Sequence, residues 1–255
     1  MSERLPLLHI VGTPSTSLQK SGALLHHTLG DGRFNEFETM SAQISAHTAK
    51  LQRSEGAGEL IDELLIVALK ECRPVYLTLP TDLVHAKISS ARLSNDLPTG
   101  SFTPPPASAA EATLEGPSAH VINRIVARYE AAEDPIVLVD ACASRFGMEG
   151  WALKLAEETG MQFFETPMGK ASTDETHTQY GGCYIGSNSL PAVKTLVEKS
   201  DLVISIGSLV SDFNSGSFSW GIPKDSLVEL HSDHVKIRSV SHAHLQRSLL
   251  LVRSG

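Results

Sequence analysis

Apolar residues along this chain fall alternately into short runs and helical-period stripes. The opening segment LPLLHIVG, residues 5–12, is an apolar run that ends in Gly and then Pro, the pattern of a buried strand feeding a loop. Across residues 58–72, Leu60, Ile61, Leu64, Leu65, Ala68 and Leu69 recur at helical spacing with Glu and Asp between them, which predicts a helix. Arg73 and Pro74 stop it, and VYLTLP, residues 75–80, follows as a strand rich in residues that suit a buried sheet. Before that helix, Leu24, Leu25, the pair His26 and His27 and a Gly30-Asp31-Gly32 turn lead into FNEFETMSAQIS, whose mixed pattern assigns no element.

From 86 to 117 periodic apolar residues give way to Ser, Thr, Ala, Asn and the run Pro104-Pro105-Pro106, the composition of a linker. Beyond it the alternation is regular: helix 118–132, strand 135–140, helix 148–160, strand 161–167, a polar Gly-rich loop, helix 191–200, strand 201–207, another loop and strand 226–233. Strands separated by helical crossovers require a parallel sheet, because parallel neighbours need long connections. The pattern therefore predicts an α/β chain of two domains, each with a largely parallel sheet flanked by helices.

Composition narrows the function class. The apolar share is 41% and the charged share 20%, ordinary values for a folded globular chain. A formal net charge of -8, with no local run of Lys and Arg, offers nucleic acid or an anionic membrane no electrostatic reason to bind. The longest apolar stretches fall far short of the ~20 residues of a membrane span, and residues 1–6 do not open a signal peptide. Three dispersed cysteines, Cys72, Cys142 and Cys183, form neither a disulfide framework nor a C-x-x-C metal site and fit a reducing compartment.

Few residues carry chemistry. His26 and His27 can exchange protons near neutral pH on a Gly-flanked loop, or serve as surface and turn residues; as a metal site the pair lacks an acidic partner at ligand spacing. Cys142 follows an apolar strand with Arg145 three residues on, so it is either a thiol activated by the guanidinium or a buried inert one. His231, Asp233 and His234 read as structural, since a continuous strand would point the first two to one face and His234 to the other. The segment after strand 135–140 has no G-x-G-x-x-G, and neither a P-loop nor G-x-S-x-G occurs; Gly181, Gly182 and Gly186 read as turn residues.

Longer motifs, taken in order, resemble one family. LLHIVGTPS, LLHHTLGDGRFNEF, MSAQIS and RPVYLTLPTDLV resemble the first domain of fungal pyruvate decarboxylases. PIVLVDACASR, TPMGKASTDE, YGGCYIGS, SDFNSGSFSW and VELHSDHVKIR resemble the middle domain. The resemblance implies the C-terminal part of a thiamine diphosphate pyrimidine-binding domain over 1–85, the linker over 86–117, a Rossmann-like middle domain over 118–238 and a divergent tail over 239–255. It further implies non-oxidative decarboxylation of a 2-oxo acid, pyruvate to acetaldehyde and carbon dioxide, by a cytoplasmic homo-dimer or tetramer using thiamine diphosphate and Mg2+. Indolepyruvate or another 2-oxo acid is the alternative substrate, and a non-catalytic pseudo-subunit the alternative role. His26 and His27 match the family's active-site pair. Cys142 matches a position tied to substrate activation in some fungal members, although Ala143 stands where those carry a second Cys. The family's aminopyrimidine-activating glutamate would precede Met1 and its diphosphate domain, with the metal ligands, would follow Arg238, so the expectation is an incomplete chain whose first domain exposes sheet edges and apolar faces.

Overall fold

A computed structural model describes residues 2–97, 117–238 and 240–243. The chain divides into two compact units, Met1–Ser101 and Phe102–Gly255. In the first, β1 (Leu7–Thr13), β2 (His47–Lys50) and β3 (Pro74–Pro80) form a parallel sheet in the order β1-β3-β2. Three helices, α1 (Thr16–Ser21), α2 (Glu36–Ala42) and α3 (Ala57–Glu71), connect them. The α3 stripe meets the sheet as its period predicts: Leu64 and Ala68 pack against Val75 and Leu77 of β3. The helix ends where Cys72 adopts a left-handed conformation, φ 50°, just before Arg73 and Pro74.

This unit is thinly covered. Its core centres on Ala49, Leu51, Ala57, Leu64, Ala68, Val75 and Leu77, three of them alanines. Leu7, Ile10, Leu24, Phe37, Met40 and Ile44 are exposed, and β1 pairs only with β3 among the described residues. The exposed edge and apolar side chains expected of the first domain are thus present. Residues 86–97 lie in the same unit, with Ala91–Ser94 as a short 3-10 helix. Arg92 within it reaches back to α3, pairing with Glu59 at 2.9 Å and Asp62 at 2.7 Å. The rest of the expected linker, 98–116, and the tail from 244 lie outside the described residues.

The second unit holds a seven-stranded sheet in the order β10-β9-β8-β7-β4-β5-β6. Its strands are β4 (Pro135–Val139), β5 (Gln162–Glu165), β6 (Tyr180–Cys183), β7 (Leu202–Ile206), β8 (Leu227–Leu230), β9 (His234–Ile237) and β10 (Val240–Ala243). The five from β8 to β6 run parallel; β9 and β10 add an antiparallel edge. Helix α4 (Pro117–Glu130) leads into β4, and helices α5 (Ala141–Arg145), α6 (Glu149–Thr159) and α7 (Pro191–Lys199) lie in the crossovers. Both faces of β4 are buried, which explains its unbroken apolar run. Val137 and Val139 join Val121, Ile125, Ala152 and Ala156 of α4 and α6, while Ile136 and Leu138 join Val193 and Val197 of α7.

Two readings are corrected here. Gly181 and Gly182 are not turn residues but lie in edge strand β6, where a Cβ on Gly181 would sit 2.3 Å from the Phe164 ring. The strand expected over 226–233 stops at Leu230, and the chain turns back so that His231 N–H donates to the His234 carbonyl at 2.9 Å.

Because the first unit buries so little, limited proteolysis of the chain is expected to cut within residues 1–101 first and to leave a resistant fragment beginning near Ser118. Equal resistance from Leu5 onward would contradict this.

Candidate functional site

In an open α/β sheet the ligand crevice forms where strand order reverses, beyond the carboxyl ends of the strands. In the second unit that point is β4, whose neighbours β5 and β7 lead to opposite sides. The chain fills this crevice itself. Asp140, fully buried, follows β4; its Oδ1 accepts from Ala141 N–H, Thr166 Oγ1 and Asn214 Nδ2, each at 2.6 Å, and its Oδ2 from Leu209 N–H at 2.7 Å. Asn214, also fully buried, accepts from Met168 N–H at 2.9 Å and donates to the Leu209 carbonyl at 2.9 Å. Two glycines permit the close approach. A Cβ on Gly207, whose φ is +73°, would lie 2.0 Å from Ala143 N, and one on Gly169 would lie 2.5 Å from the Val139 carbonyl oxygen. A carboxylate holding four donors has little acceptor capacity left, so this edge is a knot of three loops rather than a nucleotide cradle.

Cys142 stands within that knot. It is 8% exposed, its N–H donates to the Gly207 carbonyl at 3.0 Å, and Arg145 donates to Ser144 Oγ at 3.1 Å. Cys183 on β6 is half-buried, and burial raises its thiol pKa more than the nearby Lys170 lowers it.

His26 and His27 belong to the first unit, on the loop between α1 and α2. Their rings meet edge to face with centroids 4.7 Å apart, and both side chains are exposed. Local bonds shape the loop: Thr28 N–H and Oγ1 both donate to the Leu25 carbonyl, and Gly30 N–H donates to Thr28 Oγ1. Gly30 and Gly32 take φ values of 72° and 81°, which other residues rarely adopt. The exposed Leu24 and Leu29 flank the pair along the chain, so the loop presents two imidazoles and two apolar side chains to solvent.

The first unit also carries a cleft of about 970 Å3 beyond the carboxyl ends of β1 and β2, with Lys20, Lys50, Arg53, Glu55 and Gly56 among its lining. Lys50 there donates to Asn35 Oδ1 at 2.6 Å. Neither His26 nor His27 lines this cleft. Sequence periodicity pointed to neither the cleft nor the Asp140 knot, since both are built from loop residues distant along the chain.

At the β8–β9 turn, His231 and His234 stack with centroids 4.1 Å apart and planes 10° from parallel. The two rings thus share a side, contrary to the alternation of a continuous strand. Ring lone pairs lie in the ring planes, so parallel stacked rings cannot converge on one ion. Among the described residues, no group of three or more His, Cys, Asp or Glu side chains could hold a metal ion. No helix among the described residues is long and apolar enough to cross a membrane.

Residues 122–247 match the family described as thiamine pyrophosphate enzyme, central domain. The second unit belongs to that family. Across 98% of its length, the chain is 41% identical to pyruvate decarboxylase isozyme 2 of Saccharomyces cerevisiae and 42% identical to isozyme 1 of the same organism. Pyruvate decarboxylase of Kluyveromyces lactis is 41% identical over the same share. The chain spans 43% of the length of each of these relatives. In the central domain, then, the Rossmann-like frame is retained while its switch point serves packing.

The histidine stack gives the central domain a pH dependence. Burial, reinforced by the neighbouring His234, holds the His231 imidazole below its ordinary value of 6.5, against smaller opposing effects from Glu229 and Asp233. The unfolded chain therefore binds the proton more readily, and stability falls as pH drops through about 6.5 toward the lower folded value. The unfolding midpoint of the parent is expected to drop more between pH 7.5 and 5.5 than that of His231→Gln. Equal drops in both proteins would remove His231 as the cause.

Proposed function

We propose that this chain supplies the central domain and part of the pyrimidine-binding domain of a pyruvate decarboxylase-like enzyme. That enzyme is a 2-oxo acid carboxy-lyase acting with thiamine diphosphate and Mg2+ in the cytoplasm, as a homo-dimer or tetramer. The observation that carries the reading is the 41% identity to a fungal pyruvate decarboxylase over 98% of the chain. The cofactor would supply the electron sink for decarboxylation; the residues here would bind, orient and move protons.

His26 and His27 suit the last task. Neutral imidazole both donates and accepts near pH 7, and two rings in contact can pass a proton to a substrate oxygen or receive one. Their position between the exposed Leu24 and Leu29 fits a site that becomes apolar when a second surface closes over it. Cys142, in contrast, is buried in the loop knot, where a change of ligation would reach Gly207 and the end of β7 directly.

The non-catalytic reading is a pseudo-subunit that pairs with a full-length decarboxylase through apolar side chains such as those the first unit leaves exposed, Leu24, Phe37 and Met40 among them. Mixing with a full-length decarboxylase separates the readings: co-elution with altered activity favours the pseudo-subunit, whereas separate elution counts against it.

The direct test is aldehyde release from pyruvate, with indolepyruvate in parallel, by the protein isolated from its source with thiamine diphosphate and Mg2+ present. His27→Ala is expected to lower turnover by about 100- to 10,000-fold, the usual range for a lost acid or base. Turnover matching the parent would remove the pair from the mechanism.

A further inference from the structure

The histidine pair is carried by a loop that closes on itself. Residues 22–32 leave helix α1 and return to their starting point: a Cβ on Gly32 would lie 4.0 Å from both the Cα and the carbonyl oxygen of Gly22. The two glycines take φ values of 64° and 81°, so the chain turns sharply on each side of this neck. A loop of this length whose ends meet is an Ω-loop, held in shape by its own groups rather than by a neighbouring strand or helix. The returning leg is braced by Arg33, whose N–H and Nε donate to the Asp31 carboxylate at 3.1 Å and 2.8 Å.

His26 and His27 occupy the two corner positions of a turn within this loop, closed where Thr28 N–H donates to the Leu25 carbonyl at 3.1 Å. Thr28 then uses its side chain twice. Its Oγ1 donates to the same Leu25 carbonyl at 2.7 Å and accepts from Gly30 N–H at 3.3 Å. One hydroxyl thus ties the residue before the pair to the residue three beyond it. Among the described residues, neither imidazole is hydrogen-bonded to another protein group. The direction of the two rings is therefore set by the backbone turn that carries them and by their contact with each other, centroids 4.7 Å apart.

We propose that Thr28 is a positioning residue for the histidine pair: its hydroxyl fixes the turn that aims both imidazoles at a bound substrate. This rests on the proton-transfer role proposed above for His26 and His27. Proton transfer requires heavy atoms about 3 Å apart, a tolerance that two exposed side chains on an unbraced turn do not meet. A hydroxyl suits the task because it donates to one backbone group and accepts from another at short reach. Valine has the same shape and does neither, whereas serine keeps both bonds.

Magnetic resonance of the full chain carrying isotopically labelled histidine tests this through cross-relaxation between the two rings. Thr28→Val is expected to lose the His26–His27 ring contact and Thr28→Ser to retain it. The His9–Tyr76 contact between β1 and β3, ring centroids 5.1 Å apart, reports that the first unit stays folded; if Thr28→Val disturbs it, Thr28→Ala takes its place. In the protein produced in its source, Thr28→Val is expected to lower turnover about 10- to 100-fold, the scale of a displaced reacting group, and Thr28→Ser to restore it. Persistence of the ring contact without the hydroxyl would overturn the proposal. Loss of the contact with turnover equal to the parent would instead overturn the proton-transfer role of the pair, and with it the positioning role of Thr28.

Discussion

Asp140 is the constraint on which the second unit depends. Three segments leave the carboxyl edge of its sheet at β4, β5 and β7, and each would carry unpaired backbone donors into a buried space. One carboxylate gathers them: Ala141 from the first, Thr166 from the second, Leu209 and Asn214 from the third. A buried side chain this polar is tolerated only with such a degree of hydrogen bonding, and removal of the Asp140 carboxyl group would leave all four donors without it. Asn214 extends the same bond set to Met168. The crevice that binds dinucleotides in related architectures is thereby spent on holding the domain together.

The two units divide the work differently. The central domain closes its own sheet ends and buries both faces of β4 and β7. The first unit leaves open two imidazoles in contact, a polar cleft beyond β1 and β2, and apolar side chains such as Met40. Exposed imidazoles and apolar side chains exclude water only when another surface covers them.

The strongest periodic segments were legible from the residues alone. Helix α3, strand β3 and the succession from α4 to β8 follow from apolar spacing, because burial on one face or on both leaves a readable pattern. Strand β2 escaped because HTAK is short and mostly polar, and β6 because Gly181 and Gly182 look like a turn unless the Phe164 ring above Gly181 is known. The β8–β9 reversal at Ser232 and Asp233 carries no Gly or Pro to mark it. The Asp140 knot joins residues up to 74 positions apart, beyond any local spacing rule. Asp140, Ala141, Thr166, Met168 and Asn214 nonetheless lie in segments that carried the family resemblance, DACASR, TPMGK and SDFNSG, while Leu209 stands just before the last of them.

The central claim is that one carboxylate makes three loops a single cooperative unit, and amide hydrogen exchange measures this residue by residue. The N–H groups of Ala141, Met168 and Leu209 are expected to exchange as slowly as Val137 in the middle of β4, through global opening of the second unit alone. Exchange at those three amides as fast as at the exposed turn around Thr176, with Val137 still protected, would contradict the account.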